Sequence, residues 1–156
     1  MMEEECNISN AEMVVMRVIW SLGEARVDEI MNQIPEHLDW SLATVKTLLG
    51  RLVKKGMLAT EKEGRKFVYQ PLMKECTAVG LMGKSLLGKV CATKQSELIA
   101  GMIDFSELTD ADVALLTESL AQKETISKVD CTCIQDYNSI SCAHETELVE
   151  CDTVLV

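Results

Sequence analysis

The chain has few residues that break helices and no long apolar run. Its 156 residues include 2 Pro and 8 Gly, which argues against disorder or low complexity over most of the chain. No stretch reaches the roughly eighteen consecutive apolar residues of a transmembrane helix, so we expect no membrane span. With only 2 His, no Ser/His/Asp set and no glycine-rich phosphate loop, the sequence does not indicate an enzyme.

The acidic N-terminus, MMEEECNIS, lacks the apolar stretch of a signal peptide. We therefore expect a cytoplasmic protein. The chain carries 7 Cys, and in the cytosol these are expected to be thiols or metal ligands rather than a disulfide framework.

The net charge of −10 is unusual for a DNA-binding protein, but the charge is unevenly distributed. Residues 40–74 hold eight Lys/Arg against two Glu, a local balance of +6. Residues 76–156 hold five Lys/Arg against thirteen Asp/Glu, a local balance of −8. One basic region can thus contact phosphates while the acidic remainder faces away, with an affinity that depends strongly on salt.

Three helices are expected in the first 73 residues. The sequence Ser9-Asn10-Ala11-Glu12 has the pattern of a capping box and predicts the start of the first helix. The second is expected at 27–34 and the third at 42–55. The third helix should bury one stripe of apolar residues, namely Leu42, Val45, Leu49 and Leu52.

A β-hairpin is expected directly after the third helix. Residues 58–62 and 66–70 have the composition of two strands, and Gly64 lies in the turn between them. Three helices followed by a basic hairpin predict a winged helix-turn-helix, within a mostly α protein that has a small β-wing.

The exposed side of the third helix suits the major groove of DNA. The short hydroxyls of Ser41, Thr44 and Thr47 would let the helix approach base edges, and Arg51 and Lys55 are long enough to reach phosphates or a guanine. At the wing tip, Arg65 and Lys66 can contact an adjacent phosphate or the minor groove. Two alternatives stay open: a polar helix face that is only solvated, and a winged helix that binds protein.

Apolar residues recur with helical spacing after residue 74, and Thr109-Asp110-Ala111-Asp112 caps a further helix with Val113, Leu116 and Leu120 on its buried face. These residues are too many for a short segment to bury alone, which favours a homodimer over a monomeric helical subdomain. We therefore predict a DNA-binding domain at 1–73, a helical dimerisation region at 74–124 and a cysteine-bearing tail at 125–156.

The tail offers a ligand set for a soft metal ion. Cys131 and Cys133 are expected on irregular chain without a core to bury them, and Cys142 and His144 form a second spaced pair. Three thiolates and one imidazole suit tetrahedral Zn(II), whereas two or three thiolates suit Cu(I). Cys6, Cys76 and Cys91 are expected to be ordinary packing or surface residues.

The motifs ISNAEMVVMRVIWSLG, VDEI, WSLATVKTLLGRLVKKGML and EKEGRKFVYQPL resemble the penicillinase-repressor family of Gram-positive bacteria. Within it, CATKQSELIAGMI is similar to the CopY-type copper-responsive branch. The resemblance implies a homodimeric winged-helix repressor on a palindromic operator. It places at the DNA Ser41, Thr44, Lys46, Thr47, Arg51 and Arg65.

The resemblance also implies an effector. In CopY-type repressors a tail with two C-x-C pairs holds Zn(II) in the DNA-bound form. Cu(I) displaces the zinc, and the repressor then leaves the operators of copper-export genes. A copper chaperone that delivers Cu(I) is then a further partner. This tail departs from that pattern, because His144 stands where a fourth cysteine is expected and Cys151 offers an alternative thiolate. Three other functions stay open: a β-lactam-type repressor inactivated by proteolysis, a thiol redox sensor, and a copper buffer or metallochaperone.

Overall fold

The computed structural model describes residues 7–134. Its helices are α1 (Asn10–Leu22), α2 (Val27–Gln33), α3 (Leu42–Lys54), α4 (Glu75–Gly88), α5 (Gln95–Phe105) and α6 (Asp110–Ala121). Its strands are β1 (Ala25–Arg26), β2 (Leu58–Glu63) and β3 (Lys66–Pro71), and 3-10 turns lie at Glu36–Leu38 and Ala92–Lys94. Within the described residues, no helix is long and apolar enough to cross a membrane.

The chain divides into two compact units between Ser85 and Leu86, so that the boundary falls inside α4. The first unit contains α1 to α3 and an antiparallel sheet of order β1-β3-β2. The winged helix-turn-helix expected from the sequence is thereby confirmed. The two-residue β1 was not expected; it pairs with β3 through Ala25 opposite Tyr69 and widens the hairpin into a three-stranded sheet.

The capping residues predicted from the sequence lie at the ends of the helices. The Ser9 hydroxyl accepts a hydrogen bond from the Glu12 amide at 3.1 Å, and the Glu12 carboxylate accepts one from the Ser9 amide at 2.9 Å, which is the predicted capping box. Thr109 and Asp112 repeat this arrangement at the start of α6. Gly56 follows α3 with φ 75°, and Gly64 turns the hairpin with φ 64°, a region in which side chains with a Cβ are strained.

The core of the first unit lies between α1, α2, α3 and the start of β2. Its fully buried side chains include Met16 and Ile19 of α1, Ile30 of α2 and Leu49 of α3. The predicted buried stripe of α3 was wrong at Leu42, which is 47% exposed in the first turn; Leu48, at 5%, is buried instead. The opposite side of α3 is left to solvent, and this side carries the candidate DNA contacts.

The second unit leaves its apolar surface uncovered. Neither α5 nor α6 buries a residue within the single chain. In the single chain the expected buried face of α6 is exposed: Val113 is 51% exposed, Leu116 37% and Leu120 65%. No other element of the described chain covers these side chains, and exposed apolar surface of this extent favours association with a second surface.

Candidate nucleic-acid interface and metal centre

Ser41 is the N-cap of α3 and arranges the first turn of the candidate recognition helix. Its hydroxyl accepts a hydrogen bond from the Thr44 amide at 3.1 Å and lies 3.0 Å from the Thr44 hydroxyl. One turn later, the Thr47 hydroxyl donates to the carbonyl of Ala43 at 2.9 Å. These contacts fix three exposed hydroxyls along one side of the helix, where small polar groups permit close approach to a base edge.

One cation of α3 and two of the wing lie around one cleft. This cleft, of about 480 Å³, is bounded by Val27 and Asp28 at the start of α2, by Leu42 and Lys46 of α3, and by Arg65, Lys66, Phe67 and Tyr69 of the wing. Because Lys46, Arg65 and Lys66 border the same cleft, their positive charges face one region of the surface. The half-exposed side chain of Leu42 is explained by the same position, since it lines this open cleft instead of the core.

The cations differ in whether they already form an ion pair within the protein. Within residues 7–134, Lys46, Arg51 and Arg65 are exposed and make no ion pair. The Lys66 ammonium contacts the Asp28 carboxylate at 2.9 Å, and both groups are exposed. That hydrogen bond lowers the pKa of Asp28. An exposed pair of this kind contributes little stability, so Lys66 can exchange it for a phosphate.

Lys55 has a structural role that the sequence did not indicate. Its ammonium donates to the carbonyl of Asn7 and to the buried carboxylate of Glu12, both at 2.7 Å. Burial alone would raise the pKa of Glu12, but the hydrogen bonds from Lys55 and Ser9 together lower it below its ordinary value. We therefore assign Lys55 a structural role, as the exposed partner of the buried Glu12 carboxylate, and leave it out of the candidate interface.

Three cysteines converge in the second unit. Cys91 precedes the 3-10 turn Ala92–Lys94, whereas Cys131 and Cys133 follow α6, yet the three sulfurs lie within 4.8 Å of one another. The Sγ atoms of Cys91 and Cys131 are 3.5 Å apart. The expectation that Cys131 is not buried was wrong: it is 4% exposed, because its side chain packs against Cys91 and Ile134.

The electrostatics of this cysteine cluster favour one thiolate but not three. Hydrogen bonds from the Thr93 hydroxyl and the Thr132 backbone lower the pKa of Cys91 to about 5. The Cys91 sulfur in turn raises the pKa of Cys133 to about 11, together with partial desolvation of its sulfur and the neighbouring Cys131. A second negative charge is thus disfavoured unless a cation compensates it. Sulfur donors at this spacing fit a soft ion such as Cu(I) or Zn(II), which deprotonates the thiols that coordinate it.

The structure brings together only part of the predicted ligand set. Cys131 and Cys133 belong to the cluster, whereas Cys142, His144 and Cys151 lie outside the described residues. Sequence reasoning missed Cys91, because its apolar surroundings suggested ordinary packing and it is 40 residues from Cys131. Only the fold places these two segments side by side.

Comparisons with known proteins give the chain relatives along most of its length. It is 37% identical over 147 residues to an uncharacterized 16.5 kDa protein of Latilactobacillus sakei, covering 93% of this chain and 99% of that protein. A penicillinase repressor of Bacillus licheniformis is 30% identical over 121 residues, covering 78% and 94%. A solved CopR repressor structure is 82% identical and covers 44% of this chain and 99% of that chain, with a TM-score of 0.39.

The family model described as penicillinase repressor matches residues 8–122, which include α1 to α6 of the described residues and the wing. This match confirms the resemblance seen in the sequence motifs. It also agrees with the absence of enzyme motifs, since the members of this family are DNA-binding transcriptional repressors. The chain belongs to the penicillinase repressor family.

Proposed function

We propose that the protein is a copper-responsive repressor of copper-homeostasis genes, including copper-export genes. It binds a palindromic operator as a homodimer, stays bound while its tail holds Zn(II), and leaves the DNA when its thiolates take Cu(I). The observation that carries this proposal is the convergence of Cys131 and Cys133 with a third thiol in a member of a repressor family. A repressor inactivated by proteolysis has no need of such a cluster.

The DNA-binding part of the proposal rests on α3 and the wing. Ser41, Thr44 and Thr47 present fixed hydroxyls on the exposed side of α3, and Arg51 extends from its last turn without an ion-pair partner in the described chain. Lys46, Arg65 and Lys66 surround the adjoining cleft. In the proposed complex, the helix reads bases in the major groove while the wing cations contact phosphate.

The dimer part of the proposal rests on exposed apolar surface. Ile99 and Met102 of α5 and Leu120 of α6 are 44%, 45% and 65% exposed in the single chain. A second copy would cover such a surface, and twofold symmetry would present two copies of α3 to the two half-sites of a palindrome. A copper chaperone is the proposed donor of Cu(I) in the cell.

The test is a mobility-shift titration of the full chain on a candidate palindrome, with Zn(II) and Cu(I) added in separate experiments without oxygen. We expect the zinc-loaded protein to bind and stoichiometric Cu(I) to release it. A parallel titration with hydrogen peroxide separates a redox sensor, which would respond to the oxidant instead. Operator binding that persists at saturating Cu(I) would contradict the proposed effector.

Replacing Arg51 with alanine should weaken operator binding by roughly 1–3 kcal/mol if Arg51 contacts a base. The measurement is operator affinity at matched salt, compared with affinity for a scrambled duplex. A base contact predicts a loss on the operator only, whereas a phosphate contact predicts similar losses on both duplexes. The matched control is Arg17→Ala, which removes the same charge from the exposed side of α1. Equal affinities for Arg51→Ala and the control would reject the contact.

A further inference from the structure

The cysteine cluster contains one residue that belongs to no tail motif. Cys91 lies in the stretch Val90-Cys91-Ala92 between α4 and α5 and is 9% exposed. Its sulfur nevertheless lies 3.5 Å from that of Cys131. We propose that Cys91 is a metal ligand, and that Cys91, Cys131 and Cys133 form a three-sulfur site for Cu(I). The proposal deepens the proposed function, because it names ligands for the effector.

The spacing of the sulfurs is close to what one ion requires. With metal–sulfur bonds of about 2.3 Å, two sulfurs on the same ion lie roughly 3.8–4.0 Å apart in tetrahedral or trigonal geometry. The three Sγ atoms of the cluster all lie within 4.8 Å of one another, and the closest pair is at 3.5 Å. Adjustments of less than about 1 Å would therefore place all three on a single ion.

The surrounding backbone holds the tail segment in this position. The Ala92 amide donates to the Thr132 hydroxyl at 3.2 Å, which fixes the residue between the two tail cysteines beside Cys91. The Cys133 amide donates to the Cys131 sulfur at 3.4 Å, and the Thr93 hydroxyl lies 3.2 Å from the Cys91 sulfur. Donors of this kind orient ligands and stabilise thiolate charge around bound metals.

The cluster is closed on one side and open on the other. Cys91 and Cys131 are buried, whereas Cys133 is exposed. An ion can therefore reach the two buried sulfurs beside the exposed one. Three thiolates are sufficient for Cu(I), but tetrahedral Zn(II) needs a fourth ligand. The described cluster thus suits Cu(I) by itself.

A bond from one ion to Cys91 and to Cys131 would connect positions 40 residues apart. The connected segment contains the whole of α5 and α6, the helices whose apolar side chains are exposed in the single chain. Loss of the Cys91 ligand would leave the ion on the tail alone, without a connection to the start of α5. Cys91 therefore gives the metal a direct effect on the helices of the proposed dimer.

The experiment compares the full chain with Cys91→Ser and with Cys76→Ser, which removes an exposed cysteine outside the cluster. Cu(I) is titrated without oxygen against a chromogenic chelator, and sulfur ligands are counted by X-ray absorption. We expect Cys91→Ser to lower Cu(I) affinity by about 100-fold or more, beyond the 10–100-fold typical for a residue outside the coordination shell. Its sulfur count should fall from three to two, while Cys76→Ser matches the wild type.

A second measurement on the wild-type chain avoids any folding defect of the variant. Alkylation of single cysteines is followed by mass spectrometry with and without one equivalent of Cu(I). Protection of Cys91, Cys131 and Cys133, with Cys76 still reactive, supports the site. Unchanged alkylation of Cys91, or wild-type Cu(I) affinity in Cys91→Ser, overturns it.

The failures of the two proposals are distinguishable. If Cu(I) protects Cys91 but the protein stays on its operator, the ligand assignment holds and the proposed function fails. If Cu(I) releases the wild type and Cys91→Ser at the same concentration, the function holds and the role of Cys91 fails. A wild-type chain that binds no Cu(I) overturns both.

Discussion

Replacing Cys131 and Cys133 together with serine should give a repressor that folds and dimerises but no longer leaves DNA when Cu(I) is added. The two residues supply two of the three sulfurs in the cluster, and serine hydroxyls are poor ligands for a soft ion. Both lie outside the core of the first unit, so the fold of the DNA-binding region should be unaffected. The measurement is the Cu(I) concentration that releases half of the bound operator.

This Cu(I) concentration should rise strongly in the double variant, because a site with one remaining thiol of the three cannot hold the ion as the full cluster does. Cys76→Ser is the matched control, since it removes a thiol that lies outside the cluster. Circular dichroism and the dimer size in gel filtration establish that the double variant is folded. Release of the double variant at the wild-type Cu(I) concentration would exclude Cys131 and Cys133 as effector ligands.

The second large effect is expected in folding stability, from Lys55→Met. This change removes the ammonium from the Glu12 carboxylate, whose side chain is 2% exposed. Breaking a buried pair by removing one partner typically costs about 3–5 kcal/mol. We expect the lower end, about 3 kcal/mol at pH 7, because the lysine side chain is 37% exposed and the Ser9 amide still donates to the carboxylate. The measurement is urea unfolding at a fixed protein concentration.

The double variant Glu12→Gln, Lys55→Met is the control, since it leaves no buried charge and should lose less stability than Lys55→Met alone.

The stabilisation from the Glu12–Lys55 pair should depend on pH. The folded-state pKa of Glu12 lies below its ordinary value of 4.5. The stabilisation is therefore fully present above the unfolded pKa and is lost as the pH falls through the folded pKa. The stability difference between wild type and Lys55→Met should accordingly be largest near neutrality and shrink in acid.

The same variant tests the structural assignment of Lys55. A phosphate contact would contribute about one unit to the slope of operator affinity against salt. We expect that slope to be unchanged in Lys55→Met under conditions where the variant is folded. A slope reduced by about one would return Lys55 to the DNA interface.

Features encoded within a few residues could be predicted from the sequence. The capping boxes at Ser9 and Thr109, the end of α3 at Gly56 and the hairpin turn at Gly64 each depend on side-chain chemistry or backbone freedom at neighbouring positions. Together with the apolar spacing, these signals were enough for the winged helix-turn-helix, because its elements are local and joined by short connections.

Features that depend on distant partners could not be predicted in this way. The Lys55 ammonium pairs with a carboxylate 43 residues earlier, and the Cys91 sulfur meets one 40 residues later. Leu42 has the spacing of a core residue, yet the first turn of α3 lies beside an open cleft. Spacing identifies a face of a helix, but only the tertiary fold determines what that face meets.

The hydrogen bond from the Thr47 hydroxyl to the Ala43 carbonyl limits what this residue can recognise. A hydroxyl has one proton to donate, and here the helix backbone already receives it, so only the oxygen lone pairs remain. In the major groove, such an acceptor matches the amino group of adenine or cytosine and not the carbonyl oxygen of guanine or thymine. At an operator position that faces Thr47, the preferred bases would therefore be adenine and cytosine, whose amino groups lie in the major groove.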